Sequence, residues 1–428
     1  MRLGGRLAAA IDVLDDIERR HRPAADALKD WGLSHRFAGS ADRAAIGNVV
    51  YDALRRKRSA GWLLDAETPR GLAFGALLLE WGMDEAALDR ALDGDRFAPQ
   101  PLDAAERAAL SARDLADAPA AVLADCPDWC VPLAEEAFGA DWVAELAALA
   151  GRPPLDLRVN TLASTPQKVL AELKEAGAAP AGMLAEALRI APVEGGGRHP
   201  NVQAEPAFQK GWFEVQDLGS QVAAALAGAR GAMQVLDYCA GTGGKALALA
   251  AAMENHGQIF AHDADKQRLA PIFDRLRRAG ARNVQAIAGE AGLSPLEGRM
   301  DLVLVDAPCT GSGTWRRRPD AKWRLGERQL DVRVAEQAAI LQAAAAYVRP
   351  GGRLVYVTCS IFPAENARRI EAFLAANRAF AAVEPAALWR ARLGDAPLAR
   401  LAGGGLVMTP ARTGTDGFFV AVMERGAG

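Results

Sequence analysis

Short apolar runs and helical stretches take turns along the C-terminal half of the chain, and few folds accommodate that order. From Gly211 onward, strand signals fall at Gln234–Tyr238, Ile259–His262, Val284–Ala288, Asp301–Val305 and Arg353–Thr358. Helical signals separate them at Lys245–Met253, Lys266–Ala279, Arg328–Val348 and Pro363–Asn377, and Gly417–Met423 closes as a further strand. Strands alternating with helices predict a doubly wound parallel sheet, a Rossmann-like α/β fold. The run Asp301–Val305 is rich in Leu and Val, as suits a central strand covered on both faces. Asp306, Pro308, Gly311 and Gly313 then end it in a loop. Ligands of such sheets bind beyond the carboxyl ends of the strands, so this loop is where chemistry is expected.

The other half reads differently. Residues 1–125 carry apolar stripes at helical spacing (Leu7, Ile11, Leu14, Ile17; Ile46, Val49, Val50, Leu54; Leu72, Phe74, Leu77, Trp81) and predict an all-helical domain. Residues 126–210 predict a small α+β linker domain, with strands at Leu155–Asn160 and Ala187–Ile190 and a helix at Pro166–Ala176. Residues 211–428 form the α/β domain. The run Arg55-Arg56-Lys57-Arg58 reads as a solvated helix end.

The 428 residues carry a formal net charge of −3, which excludes a generally basic nucleic-acid coat but not a local basic face. Five scattered cysteines argue against a disulfide framework, and Cys126 and Cys130 have no second pair at zinc spacing, so no metal is expected. A reducing cytoplasmic setting fits, and no apolar run is long enough for a membrane span. Leu7–Leu14 is broken by Asp12 and reads as helix, not as a secretory signal.

A glycine turn marks the expected cofactor pocket. Val235 to Tyr238 runs into Cys239, Ala240, Gly241, Thr242, Gly243, Gly244 and Lys245, a strand ending in a tight loop before a helix. Asp263 ends the next strand, where a carboxylate accepts from ribose hydroxyls. That spacing also fits a nicotinamide cofactor. The third glycine of the dinucleotide fingerprint is absent, because position 246 is Ala, and the Walker pattern fails too. A nucleoside cofactor without pyrophosphate fits better, and S-adenosylmethionine is the candidate. Glu290, past the following strand, is placed to reach the adenine. Asp265 rivals Asp263, or caps a helix.

Two thiols complete the site. Cys309 follows one strand, Cys359 follows another, and Asp306 lies beside them. Pro363 suits the first turn of a helix after Cys359, and a thiol near a helix start has a lowered pKa. Methylating carbon 5 of a pyrimidine needs this equipment: a thiolate to add at carbon 6, a carboxyl group at ring nitrogen 3, and a further acid or base. Arg316, Arg317, Arg318, Lys322 and Arg324, interleaved with Trp315 and Trp323, suit an unpaired RNA strand. Arg158 and Asn160 either serve a ligand or pair locally.

At these motifs the chain resembles the Sun-type bacterial RNA (cytosine-5) methyltransferases, which act on small-subunit ribosomal RNA. Arg152–Leu162, Gly211–Gln221, DAPCTGSG (Asp306–Gly313), RRRPDAKW (Arg316–Trp323), TCS (Thr358–Ser360) and DGFF (Asp416–Phe419) stand in that group's order. The resemblance implies an antitermination-factor-like RNA-binding domain at the N terminus. It implies that Cys359 is the covalent nucleophile, that Cys309 assists product release, that Asp306 contacts cytosine, and that Asp263 and Glu290 hold the cofactor. The group's usual Ala-Pro-Gly-Gly-Lys loop is here Gly241–Lys245, and its usual Asp is here Glu290. The expected partner is unassembled small-subunit ribosomal RNA, with no membrane and no obligate protein partner. The same chemistry on transfer RNA, and a non-catalytic RNA-binding assembly factor, are the alternatives. A DNA cytosine methyltransferase would use only Cys309 and leave Cys359 unexplained.

Overall fold

The computed structural model describes residues 1–287 and 289–427; nothing is described of the side chain of Glu290. The chain forms two compact units that cut across its linear order. One comprises Met1–Pro153, Pro192–His199 and Thr314–Leu325; the other comprises Pro154–Ala191, Pro200–Gly313 and Gly326–Gly428.

The first unit is helical. Helices Leu3–Arg20, Ser40–Arg55, Lys57–Leu64 and Pro69–Glu80 bury the stripes read from the sequence, with Leu7, Ile46, Val49, Val50, Phe74 and Leu77 fully inaccessible. Their ends are set locally. The Thr68 hydroxyl accepts from Gly71 N, with Pro69 in the first turn, and Asp103 and Glu106 form a reciprocal capping box.

The second unit holds two sheets. Strands β1 (Leu155–Val159), β2 (Ala178–Pro180), β3 (Ala187–Ile190) and β4 (Phe213–Val215) pair antiparallel in the order β2-β3-β1-β4. The larger sheet contains β5 (Gln234–Asp237), β6 (Gln258–His262), β7 (Val284–Ile287), β8 (Met300–Asp306), β9 (Val348–Thr358), β10 (Phe380–Ala382), β11 (Arg400–Ala402), β12 (Gly405–Met408) and β13 (Phe418–Arg425). Among the described residues its order is β11-β12-β13-β9-β8-β5-β6-β7, with β10 also on β13. The stretch β9-β8-β5-β6-β7 is parallel and β13 runs antiparallel to β9. The order reverses between β5 and β8, which is where such sheets open a crevice. Val235, Leu302, Leu304, Val355 and Val357 pack on Leu218, Val222 and Leu226 of the helix Leu218–Ala227.

The two sheets of this unit are joined by buried polar contacts. Asn160 Nδ2 donates to Gly211 O and Ala279 O, both at 2.8 Å. Glu214 on β4 accepts from Arg275 at 2.8 Å and from Arg278 at 2.5 Å, both on the helix Ile272–Ala279.

Three expectations need correction. The helix expected over Lys266–Ala279 is two, Lys266–Leu269 and Ile272–Ala279, separated at Pro271, which has no N–H to continue the ladder. Strand β9 starts at Val348, where helix was expected. The helix after Cys359 starts at Ala367, not Pro363, so Cys359 does not lie at a helix N-terminus. Ala288, expected to end β7, lies outside the described residues.

Gly211 tests the sheet-to-sheet contact. Its φ is +72°, and a Cβ there would lie 1.9 Å from Arg278 O. Gly211→Ala should lower stability by roughly 2 kcal/mol or more, read as the midpoint shift in urea unfolding.

Candidate active site

The parallel register Asp306↔Val357 ends β8 and β9 side by side, and the two thiol loops leave from there. The Sγ atoms of Cys309 and Cys359 lie 3.3 Å apart. Both side chains are half-buried. The hydrogen bond to Cys359, then burial, then the nearby negative charge of Cys359 and Glu365, push the Cys309 thiol well above its ordinary range.

Glu365 holds this arrangement. It is completely buried and takes donors from both loops: Thr310 N at 2.8 Å, Thr310 Oγ1 at 2.6 Å and the Ser360 hydroxyl. Gln337 Nε2 adds a bond at 2.9 Å and also donates to Pro308 O at 2.9 Å. Asn366 accepts from Thr358 Oγ1 at 2.6 Å and donates to Ser360 O at 2.8 Å. These tertiary bonds take the side chains of Glu365 and Asn366 in the stretch where a helical first turn was expected. Behind Cys309, Gly313 accepts from Gly417 N at 2.8 Å, and a Cβ on Gly313 would lie 2.1 Å from Gly417 O. Only glycine permits that backbone crossing.

A cleft of about 320 Å³ opens beside β5 and β8, lined by Gln216, Ser220, Cys239, Ala240, Gly241, Thr242, Gly244, Lys245, Arg268, Arg275 and Asp306. Gly241 and Gly243 adopt positive φ, +52° and +84°, so the loop backbone turns tightly. Lys245 Nζ donates to Asp306 Oδ2 at 2.6 Å and lies over the Phe418 ring. Asp263 is buried and accepts from Gly241 N at 2.8 Å and Asp265 N at 2.9 Å, so it shapes the glycine loop. Asp265 caps the following helix through Gln267 N and Arg268 N. Arg275 donates to Thr242 O at 3.0 Å and Thr242 Oγ1 at 2.8 Å, bracing the loop from outside. Asp237 is buried with both oxygens lacking a hydrogen-bond partner among the described residues. Burial, then the charge of Asp306, raise its pKa from 3.8 to about 7, against the pull of Lys245.

The expected RNA contacts divide. Arg158 is buried and donates to Gln216 Oε1 at 2.7 Å; Asn160 is the inter-sheet tie described above. Lys322 is buried, lies near Asp125 and over Trp323, and burial lowers its pKa to about 8. None of these three is presented to a strand of RNA, because their polar groups are already engaged inside the fold. Trp315 is buried too, and Trp323 Nε1 donates to Leu54 O at 2.6 Å, so neither ring is a free stacking surface. Arg317 is half-buried and Arg318 is exposed. The Arg55–Arg58 run is not simply solvated. Arg55 is buried, Arg56 pairs with Glu80 at 2.5 Å, and Arg58 pairs with Asp128 at 3.0 Å. Among the described residues, no group of three or more His, Cys, Asp or Glu is placed to hold a metal ion. Nor is any helix long and apolar enough to cross a membrane.

The family model for 16S rRNA methyltransferase RsmB/F matches residues 223–424, and that for the RsmF/B-like ferredoxin-like domain matches residues 126–193. The chain belongs to the RsmB/F family. Among relatives, a probable ribosomal RNA small subunit methyltransferase B from Synechocystis sp. is 34% identical over 306 residues, or 70% of this chain. The matched stretch spans 66% of that protein, just under two thirds of its length. Among solved structures, PH0851 aligns at a TM-score of 0.74 and 23% identity, over 99% of this chain and 100% of that one. NSun6 from Pyrococcus horikoshii, solved with SFG, aligns at 0.61 and 22% identity, over 72% of this chain and 100% of that one. These two show the fold that this RsmB/F chain shares.

Sequence reasoning missed Glu365, Asn366, Gln337, Gln216 and Arg275. Glu365 and Asn366 are neighbours, but Gln337, Gln216 and Arg275 lie far from them in sequence with no common spacing, and Pro363 drew the reading toward a helix. Glu365→Ala should cost roughly 3 kcal/mol by stranding buried donors, with Glu365→Gln recovering part, both read by chemical denaturation. Asp237 gives a pH test. Between about pH 4 and 7 the unfolded chain releases this proton while the folded chain keeps it. Stability should therefore fall as pH rises through that window, by up to about 1.4 kcal/mol per unit. Asp237→Asn should remove that component of the slope in urea titrations at successive pH values.

Proposed function

We propose that this RsmB/F protein methylates carbon 5 of a cytosine in small-subunit ribosomal RNA through a covalent adduct at Cys359, with S-adenosylmethionine as cofactor. The observation that carries the reading is the 3.3 Å separation of two sulfurs on adjacent strand ends, beside a carboxylate and a glycine-walled cleft.

The residues present fit this cofactor. Its sulfonium and ammonium are cationic, and the cleft has Asp306 on its wall, with the unpartnered Asp237 carboxylate near Lys245 and Asp306. Cys239, Ala240, Gly241, Gly243, Gly244 and Lys245 would wall the nucleoside, and Asp263 would face the ribose while holding Gly241. Glu290 is assigned to the adenine by the family resemblance alone. When bound, S-adenosylmethionine supplies an electrophilic methyl group.

The chain's own groups do the rest. Cys359 sulfur forms a bond to carbon 6, and the ring electrons move toward nitrogen 3, faced by Asp306. Lys245 fixes the Asp306 carboxylate through a charge-assisted bond. Cys359 is taken as the attacking sulfur from the family resemblance, with Cys309 Sγ 3.3 Å away. After transfer, the carbon-5 proton passes to solvent water, the carbon 5–hydrogen pair restores the carbon 5–carbon 6 double bond, and the carbon 6–Sγ pair leaves with Cys359. Cys309 assists that release. The cytosine must leave its stack to reach the sulfur, which favours RNA not yet assembled into a subunit, in the cytoplasm.

Cys359→Ala should abolish methyl transfer from labelled cofactor to ribosomal RNA while cofactor binding persists; undiminished turnover would refute the nucleophile. Cys309→Ala should accumulate a protein–RNA adduct that survives a denaturing gel. Equal transfer to DNA of the same sequence would count against RNA as the substrate.

A further inference from the structure

We propose that Arg275 is a positioning residue of the cofactor cleft: anchored by Glu214 of the antiparallel sheet, it holds Thr242 at the tip of the glycine loop and so sets the affinity for S-adenosylmethionine. The inference rests on the cofactor reading of this cleft and extends the site to the second sheet.

The loop needs an external hold. Thr242 stands between Gly241 and Gly243, whose φ angles are +52° and +84°. Glycine has the freest backbone of any residue, so two of them flanking Thr242 leave it able to swing unless bonds restrain it. From inside, Gly241 N donates to Asp263 Oδ2 at 2.8 Å and Gly243 N donates to Ala240 O at 2.8 Å. Thr242 itself is exposed, and among the described residues Arg275 is the one side chain bonded to it. Arg275 Nη1 donates to Thr242 O at 3.0 Å and to Thr242 Oγ1 at 2.8 Å. A Cβ on Gly244 would lie 4.0 Å from both Arg275 Nη atoms, so the guanidinium also backs the first residue of the helix Gly244–Ala252.

The other end of Arg275 is fixed. Its Nη2 donates to Glu214 Oε2 at 2.8 Å, and the Glu214 side chain is only 4% exposed. The second oxygen, Oε1, accepts from Arg278 Nη2 at 2.5 Å, and the Arg278 guanidinium lies 4.1 Å from the centre of the Phe208 ring. A buried carboxylate held by a second arginine does not follow the loop. Glu214 stands opposite Arg158 in the β1–β4 register, and Arg158 donates to Gln216, a wall of the same cleft. The antiparallel sheet thus reaches the cleft twice, directly at Gln216 and through Arg275 at Thr242. A planar guanidinium offers donors in two directions at once, as a bridge from carboxylate to loop requires. Among the described residues, the hydrogen bonds of the Arg275 side chain go to Thr242 and Glu214 and none to the thiol loops, so its effect falls on binding. A loop ordered in advance loses less freedom when the ligand arrives.

The experiment is isothermal titration calorimetry of S-adenosylmethionine into the full chain without RNA, so that no turnover occurs. Arg275→Ala should raise the Kd about tenfold. Arg275→Lys, whose single nitrogen meets Glu214 or Thr242 but not both, should fall between that variant and wild type. Thr242→Val changes an exposed residue, removes one of the two loop acceptors and should weaken binding less; added to Arg275→Ala it should weaken binding no further. Arg277→Ala, an exposed neighbour paired only with Asp274, should leave the Kd unchanged. Amide exchange at Gly243 and Gly244 should quicken in Arg275→Ala while β9 keeps its wild-type rates. With RNA present, the KM for the cofactor should rise by the same factor and kcat should fall far less. Wild-type affinity in both Arg275→Ala and Thr242→Val, or losses that add in full in the double variant, overturns the positioning role. A wild-type chain that binds no S-adenosylmethionine overturns the cofactor reading instead.

Discussion

The parallel register of β8 against β9 is the constraint on which the rest depends. Side chains alternate between the two faces of a sheet, so a slip of one residue would reverse every inward group of a strand. Both faces of these strands are buried, since consecutive residues Leu302, Val303, Leu304 and Val305 of β8 and Leu354, Val355, Tyr356 and Val357 of β9 are all enclosed. Apolar burial therefore fixes the pairing Asp306↔Val357, and the loops after it begin level with each other. Level strand ends are not enough to set a sulfur–sulfur distance, because loops have freedom of their own. Glu365 removes it. Its carboxylate joins Thr310, one residue after Cys309, to Ser360, one residue after Cys359. A buried carboxylate is costly unless its acceptor sites are filled, and here backbone, hydroxyl and amide donors fill them. The need to satisfy one charge thus fixes the geometry of two thiols.

A second economy of charge runs under the cleft. Lys245 faces Asp306 directly, while Asp237 and Asp263 lie close by, so carboxylates outnumber the buried cation. Asp263 resolves its share by accepting backbone N–H groups of the glycine loop. At Asp237 burial and the charge of Asp306 outweigh Lys245 and the Ala246 backbone, and the carboxyl holds its proton more tightly. Strained or unsatisfied polar groups gather where a ligand completes the balance.

How much of this the sequence disclosed depended on where each signal lived. Apolar runs such as Leu302–Val305 report burial directly, so the central strands and their order of alternation with helices were legible. The nearness of Cys309 and Cys359 followed from topology, since both come after parallel strands. Strands β2 and β4 were not legible; each is three residues long and is defined by its partners more than by its own residues. The start of the helix after Cys359 was misplaced because Pro363 is a local signal, while Glu365 and Asn366 answer to partners across the fold. Asp263 was read as a ribose ligand from its position; what position does not reveal is that its oxygens also bind Gly241 and Asp265.

The cations teach the same lesson in sharper form. Sequence shows charge but not its destination, and a run such as Arg55–Arg58 looks like a face offered to solvent. In the fold, Arg55 is spent on Asp52 and a backbone carbonyl, Arg56 on Glu80, Arg58 on Asp128, and Lys322 is enclosed near Asp125. A guanidinium committed to internal carbonyls and carboxylates cannot also release counterions from RNA, because its donors are used and its charge is compensated. Basic residues divide into those that build the frame and those the frame leaves over. Exposure combined with the lack of a partner separates them. The abundance of arginine in the two motifs is therefore mostly a structural investment, since it is the fixed interior pairs that hold the leftover charges in place.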